Sequence, residues 1–149
     1  METKRWIWVA ACCALGACAS PSAPVAAKAS GASLYERLGG MPAIEAVSDK
    51  LIDKTASDPR TMRSFKGAET TKVKKSLAQF LCQASGGPCV YKGDSMKESH
   101  KGMAVSGDEF GLMAGFADQT MKELGVAERE RSEVMGMLGP MKSDIVEKP

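Results

Sequence analysis

His100 is the only histidine in a chain of 149 residues, and it stands in the stretch GDSMKESHKGM with Met96 four residues before it and Met103 three after. A lone histidine is by default a solvated surface residue. At these spacings, however, all three side chains share one face of a helix, and that face is apolar. An imidazole so placed is either a satisfied core residue or a ligand aimed at something held in the interior, since a neutral imidazole is a good metal donor. Cys82 and Cys89 form a second candidate pair, joined by the turn-rich QASGGP. They could bond to each other, remain as two buried thiols, or join His100 at a zinc ion. The zinc site lacks a fourth ligand at fitting spacing.

The third candidate is Cys18. METKRWIWVAACCALGAC places Lys4 and Arg5 before an apolar run from Trp6 to about Leu15, followed by small residues. That is the layout of an export signal, and the run is too short to span a bilayer permanently. Leu15-Gly16-Ala17-Cys18 looks like a bacterial lipobox, which would make residues 1–18 the signal and Cys18 the lipidated first residue. Ala19 after it favours the outer membrane over the inner one. The alternative is a soluble periplasmic protein cleaved at Ala17-Cys18-Ala19. Residues 19–32, ASPSAPVAAKASGA, have the composition of a flexible tether. An envelope protein meets oxidising conditions, so Cys82 and Cys89 are expected to pair, which would add roughly 2–3 kcal/mol by the chain-entropy model.

The elements that must position these residues are helical in pattern. Ser33 can cap a short helix that Gly39-Gly40 stops, and Pro42 suits the first turn of the next. Ile44, Val47, Leu51 and Ile52 then fall on one face. Asp58-Pro59-Arg60 breaks that helix, and Met62 and Phe65 mark a short apolar turn. A third helix from about Glu69 to Ala84 carries Val73, Leu77, Phe80 and Leu81, and Ser85-Gly86-Gly87-Pro88 ends it. Asp94 or Ser95 caps the brief helix of His100. Two longer helices, roughly 108–124 and 127–146, complete an all-α domain, with a kink expected at Gly139-Pro140. A formal charge of +2 with no clustered basic surface excludes nucleic acid as the expected partner, and Lys72-Val73-Lys74-Lys75 reads as a solvated helix face. Ten methionines and only 5% aromatic residues suit a soft core with room for a large flat filler.

In this order and spacing, several pieces resemble the group I truncated haemoglobins. They are Ser33-Leu34-Tyr35-Glu36-Arg37-Leu38-Gly39-Gly40, Asp58-Pro59-Arg60 with Phe65, Phe80-Leu81, Gly86-Gly87, Tyr91 with Gly93, and Met96-x-x-x-His100. The resemblance covers residues 33–146, and CQASGGPC is similar to an envelope-type subset of these globins. It implies a two-over-two helical sandwich holding one haem b per chain. His100 would be the proximal ligand to the haem iron, Phe65 would pack against the haem face, Phe80 would be an aromatic of the distal helix, and Met96 would lie one turn before the ligand. No C-x-x-C-H sequence is present, so covalent attachment of the haem is not expected.

The distal side departs from the family pattern. Ile52 stands where a tyrosine is usual, and Val73 and Leu77 stand where glutamine or another polar residue is often found. Losing one hydrogen bond to a polarised gas costs roughly 1.5–3 kcal/mol, or about 10- to 150-fold faster release. Weak, quickly reversible oxygen binding follows, with relative preference for carbon monoxide and nitric oxide. Ser76 and Lys75 are neighbouring donors that a roll of the helix could bring in. Met62, Lys74 and Lys75 are conceivable sixth ligands. Asp94 replaces a frequent arginine that would pair with a haem propionate, leaving Lys92 and Lys97 as substitutes. The haem-free protein is expected to be the less stable one.

Three classes of function stand against each other. The first is a globin that reversibly binds a diatomic gas (oxygen, nitric oxide or carbon monoxide), served by an unknown reductant and anchored to the membrane through Cys18. The second is an enzyme, a nitric oxide dioxygenase or weak peroxidase, which the apolar distal side disfavours. The third is a haem-less helical lipoprotein acting as a binding module.

Overall fold

The structure, a computed structural model, describes residues 31–148. The export signal, Cys18 and the tether up to residue 30 lie outside the described residues. Seven α-helices run α1 (Leu34–Leu38), α2 (Gly40–Ser57), α3 (Thr70–Ala84), α4 (Met96–His100), α5 (Gly107–Glu123), α6 (Glu128–Leu138) and α7 (Lys142–Ile145), and no strand is found among the described residues. Short 3-10 turns at Met62–Phe65 and Gly139–Met141 complete the set.

Local chemistry sets most of the boundaries. Ser33 and Glu36 form a capping box at the start of α1: the Glu36 N–H donates to Ser33 Oγ at 3.3 Å and the Ser33 N–H to Glu36 Oε2 at 3.0 Å. Gly39, at φ 102°, takes the left-handed conformation that ends α1 at no side-chain cost. The next helix begins at once, at Gly40, two residues earlier than Pro42 suggests. Pro42 is then the third residue of α2, where the missing N–H has no intrahelical acceptor in any case. A second capping box, Ser106 with Glu109, opens α5. Ser95, rather than Asp94, caps α4, its Oγ accepting from the Glu98 N–H at 3.2 Å. Gly139-Pro140 breaks the C-terminal helix into two helices with a 3-10 turn between them, a stronger effect than a kink.

Helices α2 and α3 form one layer of the sandwich, α5 and α6 the other, and α2 packs across both. Along α2 the residues Ile44, Val47, Ser48, Leu51, Ile52 and Thr55 are buried at intervals of three and one, the stripe of a helix covered on one side. The Ser48 and Thr55 hydroxyls donate to the Ile44 and Leu51 carbonyls at 2.8 and 2.7 Å, so the polar members of the stripe leave no unpaired group. Ile44, Ala78, Leu81 and Cys82 make one core cluster; Val47, Met121 and Val134 make the other. Ion pairs stitch the rims: Lys74 to Asp53 at 2.7 Å, Lys54 to Glu123 at 3.0 Å and Arg131 to Asp118 at 2.8 Å. Cys82 and Cys89 are joined by a disulfide. Gly87 sits in the loop it closes, against Tyr35 and Cys82, where a Cβ has no room.

Candidate functional site

The five residues of α4 are too few to hold themselves helical, and the loop before them supplies the support. The Tyr91 phenol donates to the Asp94 carbonyl at 3.0 Å, and the Ser99 hydroxyl donates to the Ser95 carbonyl at 2.8 Å. The Tyr91 ring stands edge-on to Phe80 of α3, their centroids 5.6 Å apart, and the Tyr91 N–H donates to Gln83 Oε1 at 2.6 Å. The start of α4 is therefore tied to α3. Beyond α4 the Arg63 guanidinium reaches the Met103 and Ala104 carbonyls at 3.0 and 2.8 Å, which ties the other end to the 3-10 turn carrying Phe65.

Between these two ties α4 packs mainly against α7. Several apolar side chains of α3 and α4 are only half covered. Ala78, Leu81 and Cys82 of α3 are buried against α2, whereas Val73, Leu77 and Phe80, spaced by four and three, remain half-buried on the adjoining face. Phe65, Met96, His100 and Met103 are half-buried as well. Ile52 is buried in α2, and the Lys74–Asp53 ion pair holds its turn of helix beside Val73.

His100 is oriented by its own helix. Its Nδ1 lies 2.8 Å from the Met96 carbonyl oxygen, which can only accept, so Nδ1 carries the proton and the lone pair is on Nε2. No described residue hydrogen-bonds Nε2. This is the orientation in which a ligating histidine is held when its second nitrogen is fixed by a backbone carbonyl. One metal donor left without a protein partner, together with half-covered hydrocarbon on α3, α4 and the turn of Phe65, fits a flat apolar cofactor with a metal at its centre. It does not fit a bare ion. No group of three or more His, Cys, Asp or Glu side chains suited to a metal occurs among the described residues, and the disulfide takes both thiols that a zinc site would need.

Two sequence-based candidates are engaged elsewhere and a third is exposed. The Lys74 ammonium is held by Asp53. Ser76 turns its hydroxyl toward Tyr91, 3.5 Å away, and Met62 is about half exposed, at 51%. Lys75, Lys92, Asp94 and Lys97 have exposed side chains. Arg63 and Glu147 are contributors that the sequence does not single out: nothing near either in the chain signals a role, because their partners lie 40 or more residues away. Tyr91 enters the sequence reading only beside Gly93, without its role as the tie between α3 and α4.

A helical sandwich that leaves one imidazole nitrogen without a protein partner and several apolar side chains half covered has what a haem-holding globin needs. The chain matches the profile of the family described as Bacterial-like globin over residues 33–147. It is 32% identical over 118 residues to the group 1 truncated hemoglobin GlbN of Mycolicibacterium paratuberculosis, covering 79% of this chain and 87% of that one. It is also 32% identical over 116 residues to the group 1 truncated hemoglobin of Tetrahymena pyriformis, covering 78% and 96%. Among solved structures, the Fe(III) form of the Tetrahymena pyriformis truncated hemoglobin superimposes with a TM-score of 0.74 at 32% identity, covering 78% of this chain and all of that one. The 2/2 hemoglobin of Synechococcus sp. PCC 7002, in its cyanomet state, gives 0.73 at 28% identity with the same coverage. The chain belongs to the bacterial-like globins, as a group 1 truncated haemoglobin.

Proposed function

We propose that this globin binds a diatomic gas (oxygen, nitric oxide or carbon monoxide) reversibly at one haem b per chain, with His100 Nε2 as the proximal ligand. The iron would be pentacoordinate or weakly hexacoordinate at rest. The observation that carries the reading is the His100–Met96 hydrogen bond, which fixes the tautomer and leaves Nε2 without a protein partner. Haem supplies the iron to which the gas binds.

The remaining chemistry belongs to the side chains. Phe65 and Phe80 offer flat apolar contact to a porphyrin and Met96 an adaptable one. Ile52, Val73 and Leu77 exclude water and present no hydrogen-bond donor. With Ser76 turned to Tyr91 and Lys75 exposed to solvent, neither neighbouring donor supports a hydrogen bond at that wall. Fast release of oxygen follows, and the unfavourable position of a dioxygenase, which needs its oxygen held, follows from the same wall. Residues 1–18 support a location in the bacterial envelope, anchored through lipidated Cys18.

The test is spectroscopic. The purified chain is expected to show a Soret band, and His100→Ala is expected to abolish or shift it. A well-folded, colourless protein from cells supplied with porphyrin overturns the reading. Catalytic consumption of nitric oxide with a physiological reductant would replace gas binding by the enzyme activity.

A further inference from the structure

The segment that follows the histidine is held in an unusual way. Gly102 lies at φ 77° and Ala104 at φ 50°, and Ala104 is the only non-glycine residue with positive φ among the described residues. A left-handed alanine is unfavourable and persists only where surrounding contacts determine it. Here those contacts come from two places far apart in the chain. One carboxylate, that of Glu147, accepts the Gly102 N–H through Oε1 at 2.7 Å and the Ala104 N–H through Oε2 at 2.6 Å. One guanidinium, that of Arg63, donates Nη1 to the Met103 carbonyl and Nη2 to the Ala104 carbonyl, and is itself paired with Glu109. The Glu147 and Lys148 N–H groups both donate to the Val105 carbonyl, at 3.0 and 3.1 Å, so the end of the chain is laced to the same loop. The Met103 N–H, in turn, donates to the carbonyl of His100 itself at 3.1 Å.

We infer that Glu147 and Arg63 are positioning residues for His100: a two-sided clamp on residues 102–104 that fixes where the imidazole meets the haem iron. The argument rests on the haem reading above. Charge-assisted bonds are the stronger kind, and each partner here makes two of them, Arg63 to adjacent carbonyls and Glu147 to N–H groups two residues apart, so the clamp restrains direction as well as distance. Its two halves come from different elements, Arg63 from the turn that carries Phe65 and Glu147 from beyond α7. The clamp therefore couples the turn of Phe65 to the segment that follows the histidine. The Glu147 carboxyl is held below the ordinary glutamate range by the Gly102 and Ala104 N–H groups it accepts.

Two variants of the full chain, loaded with haem, separate geometry from charge. Glu147→Gln keeps the shape but sets an amide NH2 against one of the two N–H groups and removes a negative charge from beside the histidine. Arg63→Lys keeps its charge but cannot span two carbonyls. Both are expected to lose haem to an apo-acceptor roughly ten-fold faster than wild type, in the range found when partners that orient a metal ligand are removed. Both are expected to shift and broaden the iron–histidine stretch in the resonance Raman spectrum of the ferrous protein. Only Glu147→Gln should raise the midpoint potential, because it alone removes an anion that favours the ferric state. If both variants keep the wild-type stretch and haem-loss rate, the inference falls and the haem reading stands. If the wild type itself develops no Soret band, the haem reading falls and takes the inference with it. Should Glu147→Gln fail to fold, Arg63→Lys decides the matter by the same two readouts.

Discussion

Leu77 lies on the face of α3 that stays half-buried, one turn from Val73 and one from Phe80, and carries no atom able to donate a proton. Leu77→Gln supplies a donor of nearly the same length on the same helix turn. Oxygen release from the ferrous protein, followed by stopped-flow absorbance, is expected to slow by roughly 10- to 150-fold. An unchanged rate would mean that this face does not line the gas site. At this scale the sequence singles out His100, alone and in step with Met96 and Met103, and Ile52, Val73 and Leu77, apolar where the family resemblance implies polar residues. That Ser76 is occupied by Tyr91 and Lys74 by Asp53 was not legible, because those partners sit on other elements.

At the scale of elements, the passage from α2 into the 3-10 turn decides where Phe65 and Arg63 arrive. Asp58 makes that passage. Its carboxylate accepts the Arg60 N–H at 2.9 Å and grips the Arg60 guanidinium at 2.9 and 2.8 Å, and its carbonyl accepts from Thr61 and Met62. The Arg60 guanidinium, bonded through its side chain, lowers the Asp58 pKa from 3.8 to about 2. A carboxylate with a lowered folded pKa stabilises the fold fully above its ordinary pKa and loses that contribution as pH falls through the folded one. Asp58→Asn is therefore expected to depress the thermal midpoint most above pH 3.8, with the gap to wild type closing as pH approaches about 2. A gap that does not change with pH would assign the effect to shape rather than charge. Thermal scans by circular dichroism at stepped pH measure it. The break at Asp58-Pro59 was readable from the sequence, but its grip on Arg60 was not.

For the whole molecule, the disulfide and the sandwich contacts carry different parts of the stability. Cys82 is fully buried in the core cluster that also holds Ile44, Ala78 and Leu81, and its bond to Cys89 fastens the loop leading to Tyr91 and α4. Replacing both by serine is expected to cost roughly 2–3 kcal/mol in denaturant unfolding, from the restored freedom of the unfolded chain. A reducing agent should then have no further effect on the variant while it destabilises wild type. Equal stability of the two proteins would show that core packing around Tyr35 and Gly87 holds the loop unaided. Haem should add stability on top of this, because it binds only the folded chain.

The sequence by itself determined the helices, their caps and breaks, the stripe that α2 buries, and the place of its one imidazole on the apolar face of a short helix. Each of these depends on residues within a few positions of one another, and local propensity and periodicity encode such relations directly. Tertiary structure alone decided that α4 packs mainly against α7 and that Ser76 faces Tyr91. It also decided that an arginine and a glutamate 84 positions apart in number, Arg63 and Glu147, meet on the same three residues after His100. The physical reason is that a hydrogen bond between distant segments leaves no periodic trace in either of them. Its partners are chosen by where packing carries the backbone, and only the assembled sandwich fixes that.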